Sequence, residues 1–149
     1  MSDPRRTVTL RGHPGFGRPV AGRALVSTEA FGVRYDLDRD TGIISRAGHS
    51  IYGERIAGKI LVFPTAKGGV AAGWALADLA HRGLVPLALI FRRTNPVMVQ
   101  GAIFAGVPII DGLDLDPVAA IATGDYIEVD PPAGTVTVYR ETGASQVRT

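Results

Sequence analysis

Apolar residues in this chain gather into short runs cut by glycine and proline, alternating with polar residues near the two ends and forming unbroken blocks in the middle. Thr7 to Leu10 alternate, and Val20 to Ser27 reads as a second strand after the glycine-rich loop Gly12 to Gly17; both patterns suit half-buried β-structure. Tyr35 to Gly42 is turn chemistry, dense in carboxylates and closed by glycine, and a short strand Ile43 to Ser45 follows. Ile51 to Gly58 is a connection with Gly53 and Gly58 at its corners. Lys59 to Phe63 is a nearly continuous apolar block, the type found in the middle of a sheet covered on both faces. Val70 to His81 then predicts a helix whose apolar content is Val70, Trp74, Leu76, Ala77 and Leu79, with Gly83 placed to end it. A second buried-type strand, Pro86 to Phe91, a helix opened by Pro96 and reaching about Ala105, and a third strand, Val107 to Ile110, complete the centre.

Strand, helix, strand, helix, strand implies parallel pairing through right-handed crossovers. The C-terminal part returns to period two: Tyr126 to Asp130, a turn Pro131 to Gly134, and Thr135 to Tyr139 predict a hairpin. The expected fold class is therefore α/β, with a parallel βαβαβ centre flanked by β-rich segments in a three-layer arrangement. A length of 149 residues, of which 46% are hydrophobic, suits one domain with its own core and is short for two. One domain over residues 1–149 is expected, with the ends, about 1–6 and 141–149, fraying.

Charge and composition exclude more than they identify. The formal net charge is only +2 and the basic residues are scattered; the one loose cluster, Arg5 to Arg23, has Phe16 as its sole aromatic, so no nucleic-acid partner is expected. There is no cysteine, so the chain offers no disulfide and no thiolate for zinc or an iron–sulfur cluster. The N-terminus lacks the apolar core of a signal peptide, and no apolar run approaches the roughly 18 residues of a membrane span. A cytoplasmic location without membrane contact is expected.

Candidate chemistry concentrates where the central strand runs into Pro64-Thr-Ala-Lys-Gly-Gly69 and then into a helix. Lys67 with the Gly68–Gly69 turn reads two ways: as an anion cradle of ammonium and freed helix N–H groups, or as a sharp turn that needs glycine. The pattern is not a P-loop, since the lysine precedes the glycines and no Ser or Thr follows it. Asp36, Asp38 and Asp40 alternate in a turn but lack the glycine and distal Glu of a calcium loop, which leaves a solvated acidic turn. His13, His49 and His81 form no metal-ligand spacing. His49 precedes the central strand, and His81 sits where it complements a helix dipole. Asn95 lies at the C-terminal edge of a central strand, where it could orient a substrate or cap the helix that Pro96 begins. Neither a Gly-x-Ser-x-Gly elbow nor a Cys/His pairing is present, so a self-contained nucleophilic hydrolase is not supported.

Most of the chain resembles the small-subunit, or swivelling-domain, family of aconitase X-type hydro-lyases. The resemblance rests on Ala24-Leu-Val-Ser27 with Glu29, Asp38 and Thr41-Gly-Ile-Ile44, then His49, Gly53 and Ile56-Ala-Gly-Lys-Ile-Leu-Val-Phe-Pro64. Pro86 with Ala88 and Ile90, Gly101-Ala-Ile103 and Gly124-Asp125 continue it in the same order and spacing. It implies a swivelling β/β/α domain that closes over a cleft in a separate large subunit. That subunit would hold an iron or iron–sulfur centre and most of the substrate contacts, and this chain alone would bind no cofactor. The activity implied is removal of water from a small anionic hydroxy acid, known family substrates including 3-hydroxyproline and phosphomevalonate.

The family's catalytic loop, Pro-Ser-Gly-Arg-Gly-Ser-Ser, carries a serine base; here that serine falls on Gly69 and the arginine on Lys67. A second family stretch, Ser-Phe-Trp-Gly-Gly, is replaced by Gly32-Val-Arg-Tyr-Asp36. The reading is a hydro-lyase subunit in which Thr65, Lys67, Gly68, Gly69 and Asn95 bind substrate. Lys67 serves as the base if burial lowers its pKa; otherwise the base comes from the large subunit. The alternative is a non-catalytic binding or regulatory module that kept the fold and lost the chemistry with the serine.

Overall fold

The computed structural model of the chain describes residues 5–67 and 70–141. The elements in order are β1 (Arg5–Arg11), β2 (Val20–Val26), α1 (Val33–Asp36), β3 (Leu37–Asp38), β4 (Ile43–Ile44), β5 (Ile60–Thr65) and α2 (Val70–His81). They continue as β6 (Ala88–Arg93), α3 (Pro96–Ala105), β7 (Ile109–Ile110), α4 (Pro117–Ala120), β8 (Tyr126–Asp130) and β9 (Thr135–Glu141).

The expected parallel centre is present. Strands β2, β5, β6 and β7 are parallel neighbours, in register through Leu25, Leu61, Leu89 and Ile109. Period-two alternation divides their side chains between two cores. Leu25, Leu61, Phe63, Leu89, Phe91 and Ile109 face α2 and α3, which pack side by side over them. Ala24, Ile60, Val62, Ala88, Ile90 and Ile110 face the other way and share a core with Leu10, Ile127, Val129, Val136 and Val138 of the antiparallel strands. Burial on both faces explains why these strands read as unbroken apolar blocks.

Strand β2 joins the two halves into one sheet of order β1-β9-β8-β2-β5-β6-β7. Its first part, Val20 to Arg23, pairs antiparallel with β8, and its second, Ala24 to Val26, pairs parallel with β5. The sheet then curls until its edges meet. The backbone of Phe16, beyond β1, exchanges hydrogen bonds of 2.9 Å with Ile109 of β7, and Gly15 donates to Pro131 at 2.9 Å. The flanking β-rich layers of the sequence reading are thus the antiparallel half of one curled sheet.

Helix α3 forms where the sequence placed it: Asn95 caps it by accepting the Met98 N–H at 2.8 Å, Pro96 opens it, and Gly106 ends it at φ 72°. The hairpin β8–β9 is also as expected. Other readings need correction. Strand β1 starts at Arg5 and pairs with β9 up to Glu141. Trp74 is 68% exposed and stacks on exposed Phe104 of α3, while Ala75, Leu76 and Leu79 form the buried face of α2. One-turn helix α1 runs into the stretch read as a turn, and one-turn helix α4 lies where the sequence reading assigned no element. Among the described residues no helix is long and apolar enough to cross a membrane.

Closure of the sheet depends on Gly15, since a Cβ there would stand 2.1 Å from the Ile109 carbonyl oxygen. Gly15→Ala is expected to destabilise the fold by about 1–3 kcal/mol in urea unfolding; a change within about 0.5 kcal/mol, the range of an ordinary surface substitution, would show that the edges do not depend on this contact.

Candidate functional site

The parallel strands end together on one side of the sheet, and the segment after β2 is laid across them. Phe31 fixes it there: its N–H donates to the Thr65 carbonyl at 3.0 Å, and its carbonyl accepts the Lys67 N–H at 2.9 Å. Its ring stacks on Phe63 at 4.5 Å with a 10° interplanar angle, and Phe63 stacks on Phe91 at 5.9 Å. Backbone pairing and a buried aromatic column thus lock residues 31–36 to the end of β5.

Helix α1 then turns a carboxylate inward. Val33 and Asp36, three residues apart in the one turn of α1, share its inner side, and both are fully buried. Its Oδ2 accepts the Gly32 N–H at 2.8 Å, and its Oδ1 receives Arg46 Nε at 2.5 Å. The Lys67 ammonium lies 3.3 Å from the same Oδ1, and buried His49 places Nε2 3.8 Å from Oδ2. Burial alone would raise the Asp36 carboxyl. The Arg46 hydrogen bond, the Gly32 N–H and the charge of Lys67 together outweigh burial and hold it below the usual carboxylate range. Asp36 in turn pushes the Arg46 guanidinium up.

The surrounding polar groups are mutually satisfied. His49 Nδ1 accepts the Ile51 N–H at 3.3 Å, which assigns the proton to Nε2, 3.2 Å from the Ala30 carbonyl. Buried Ser27 meets Ser50 at 2.7 Å between hydroxyl oxygens, and the Glu29 carboxylate accepts the Ser50 N–H at 2.5 Å. Glu29 Oε2 faces Arg46 Nη2 at 3.9 Å. Alternating charges thus run Glu29, Arg46, Asp36, Lys67 from one side of the site to the other.

Of the residues singled out from sequence, Lys67 stands in this cluster with its side chain 39% exposed, and Thr65 is exposed beside it at the end of β5. Gly68 and Gly69 lie outside the described residues. Asn95 Oδ1 is used for the α3 cap, and its Nδ2 reaches the Ala66 carbonyl at 3.5 Å. His49 belongs to the cluster, whereas His13 and His81 are exposed and apart from it. The solvated acidic turn holds for exposed Asp38 and Asp40 and fails for Asp36, the one carboxylate of the three that is buried. Sequence reading missed Arg46 as well, which no motif marks. The available signal was apolar Val33, three residues before Asp36 and on the same side of a single helical turn.

These residues do not suit an iron–sulfur cluster. The sequence has no cysteine, and among the described residues no group of three or more His, Cys, Asp or Glu stands together.

Because the folded Asp36 carboxyl titrates below its unfolded value of about 3.9, the unfolded state binds the proton first. The contribution of Asp36 is therefore complete above that value and is lost as pH falls through the folded one. Asp36→Asn is expected to cost on the order of 3 kcal/mol at pH 7, with a gap from the parent that narrows below about pH 4. Urea unfolding across pH 3 to 7 measures it; a gap of constant size would contradict the ion-paired assignment.

Residues 9–138 match the family model described as aconitase X swivel domain. The chain is similar to proteins named phosphomevalonate dehydratase small subunit. That of Methanocella arvoryzae is 35% identical over 85% of this chain and 96% of its own length, and that of Methanococcoides burtonii is 37% identical over 81% and 89%. Among solved structures, the crystal structure of Thermococcus kodakaraensis aconitase X in its holo-form superposes with a TM-score of 0.82 at 32% identity, covering 88% of this chain and 98% of that one. With a family match over nearly the whole described chain and relatives of similar length and fold, the chain belongs to the aconitase X swivel-domain family.

Proposed function

We propose that the chain is the small subunit of a hydro-lyase that dehydrates a small anionic hydroxy acid together with a separate large subunit. The observation that carries this reading is Lys67: an ammonium half open to solvent at the C-terminal edge of the parallel strands, its other side seated on a buried carboxylate, in a chain whose relatives are named dehydratase small subunits. Open parallel sheets place ligands at this edge.

In this reading the iron or iron–sulfur centre belongs to the large subunit, since the residues here do not suit it, and the swivelling domain closes a cleft from above. Lys67 and Thr65 meet the substrate's anionic group. Asn95 holds the loop through Ala66. Substrates resembling phosphomevalonate fit a cationic binding loop, and the names of the relatives support that class. Lys67 is ion-paired and partly exposed, not buried, which supports a binding role for it and a base supplied by the large subunit.

Co-expression with an aconitase X-type large subunit, followed by purification and a dehydratase assay, tests the proposal. The complex is expected to form and to remove water from a phosphorylated or carboxylated hydroxy acid, while the chain alone does not. Loss of one charge-assisted contact in Lys67→Ala should lower kcat/KM about tenfold or more. An active complex that Lys67→Ala leaves unchanged would remove the Lys67 assignment, and a chain that associates with no large subunit would remove the subunit reading.

A further inference from the structure

Two cations meet on one oxygen. Arg46 Nε and Lys67 Nζ both contact Oδ1 of Asp36, so the two nitrogens can be no farther apart than those two short contacts laid end to end. That spacing suits two oxygens of one carboxylate or phosphate. Each cation also keeps unused donors. Arg46 spends Nε on Asp36, and its Nη2 lies 3.9 Å from Glu29, beyond hydrogen-bond reach. Lys67 has three N–H groups and one carboxylate oxygen beside it. Their side chains are 38% and 39% exposed, whereas Asp36 is wholly enclosed, so the carboxylate lies behind and the cations in front.

Their positions are held from several sides. The Lys67 stem lies against Gly32, where a Cβ would stand 3.0 Å from its Cγ and Cε. Gly32 also donates to Oδ2, and the Ser45 N–H, at 2.8 Å, and the Arg46 N–H both donate to the Asp36 carbonyl. Asp36 therefore organises the backbone of one cation's loop and the side chains of both.

We propose that Arg46 and Lys67 form a paired clamp for a single small oxyanion, with Asp36 as the positioning residue that sets their spacing. The clamp rests on the hydro-lyase reading only for the identity of its ligand, the anionic group of the substrate. Glu29 competes for the outer edge of Arg46, although its other oxygen is tied to the Ser50 N–H.

The test uses the full chain, titrated with inorganic phosphate and, separately, with acetate at constant ionic strength. Binding is followed by the NMR shifts of the Arg46 Nε–H and Gly32 amide signals. Saturable shifts with one probe identify a phosphate or a carboxylate as the preferred group. Arg46→Ala and Lys67→Ala should each weaken binding about tenfold or more, Arg46→Lys should recover part of the loss, and Glu29→Gln should strengthen binding.

Asp36→Asn separates positioning from simple charge. It removes a negative charge, so an unstructured electrostatic site would bind the anion more tightly, whereas the clamp predicts at least a threefold loss, on the order of 0.7 kcal/mol. Lys59→Ala, on an exposed pair with Glu54, should change nothing. Tighter binding in a folded Asp36→Asn variant, or no saturable shift with either probe, overturns the clamp; if Asp36→Asn does not fold, equal binding by Arg46→Ala and the parent does so. A reconstituted complex without dehydratase activity would refute the hydro-lyase reading and leave the clamp standing, while an active complex with no anion dependence on Arg46 would do the reverse.

Discussion

The site depends on the backbone exchange between Phe31 and the end of β5. Without those two hydrogen bonds, the chain leaving β2 would have no reason to cross the sheet edge, and Asp36 would lie in solvent with its neighbours Asp38 and Asp40. The ring stack of Phe31, Phe63 and Phe91 makes the crossing part of the core. Truncating one of these rings would cost about 3–5 kcal/mol by general experience with buried aromatics, comparable to a large share of a domain's net stability. The placement of the polar cluster is thus fixed by apolar packing beneath it.

A carboxylate enclosed in this way would be expensive if left unpaired. Three groups offset the expense: the Gly32 N–H, Arg46 and Lys67. Such a network contributes less net stability than its contacts suggest, because desolvation of the carboxylate opposes them. Its consequence is geometric. Two flexible side chains that would otherwise sample many rotamers share one fixed anchor, which lowers the entropy lost when they grip a ligand.

How much of this was legible beforehand follows from which signals are local. Alternation and apolar blocks located β2, β5, β6, α2, α3 and the final hairpin, because burial on one or both faces writes itself directly into residue period. Asn95 and Pro96 announced the start of α3 for the same local reason. Closure of the sheet was not visible, because Phe16 and Ile109 are 93 residues apart and their meeting is a property of sheet curl. Trp74 misled because an apolar residue on a helix reads as core, whereas here it stacks on Phe104 at the surface. The site divides in the same way. Lys67 was found through its turn, but Asp36 and Arg46 carry no motif and acquire meaning only when three separated segments converge.

That convergence joins two loops that the sequence keeps apart. The two altered stretches, Gly32 to Asp36 and Thr65 to Gly69, are separated in sequence but touch in the fold: Lys67 donates its N–H to Phe31, rests its stem against Gly32 and places its ammonium on Asp36. Without Lys67 the buried Asp36 would lack one of its partners, and without Asp36 the Lys67 ammonium would lose its anchor. The two loops form one electrostatic unit, with Arg46 from a third segment closing it. The cluster is thus a single charge arrangement built from three chain segments, consistent across local structure and packing.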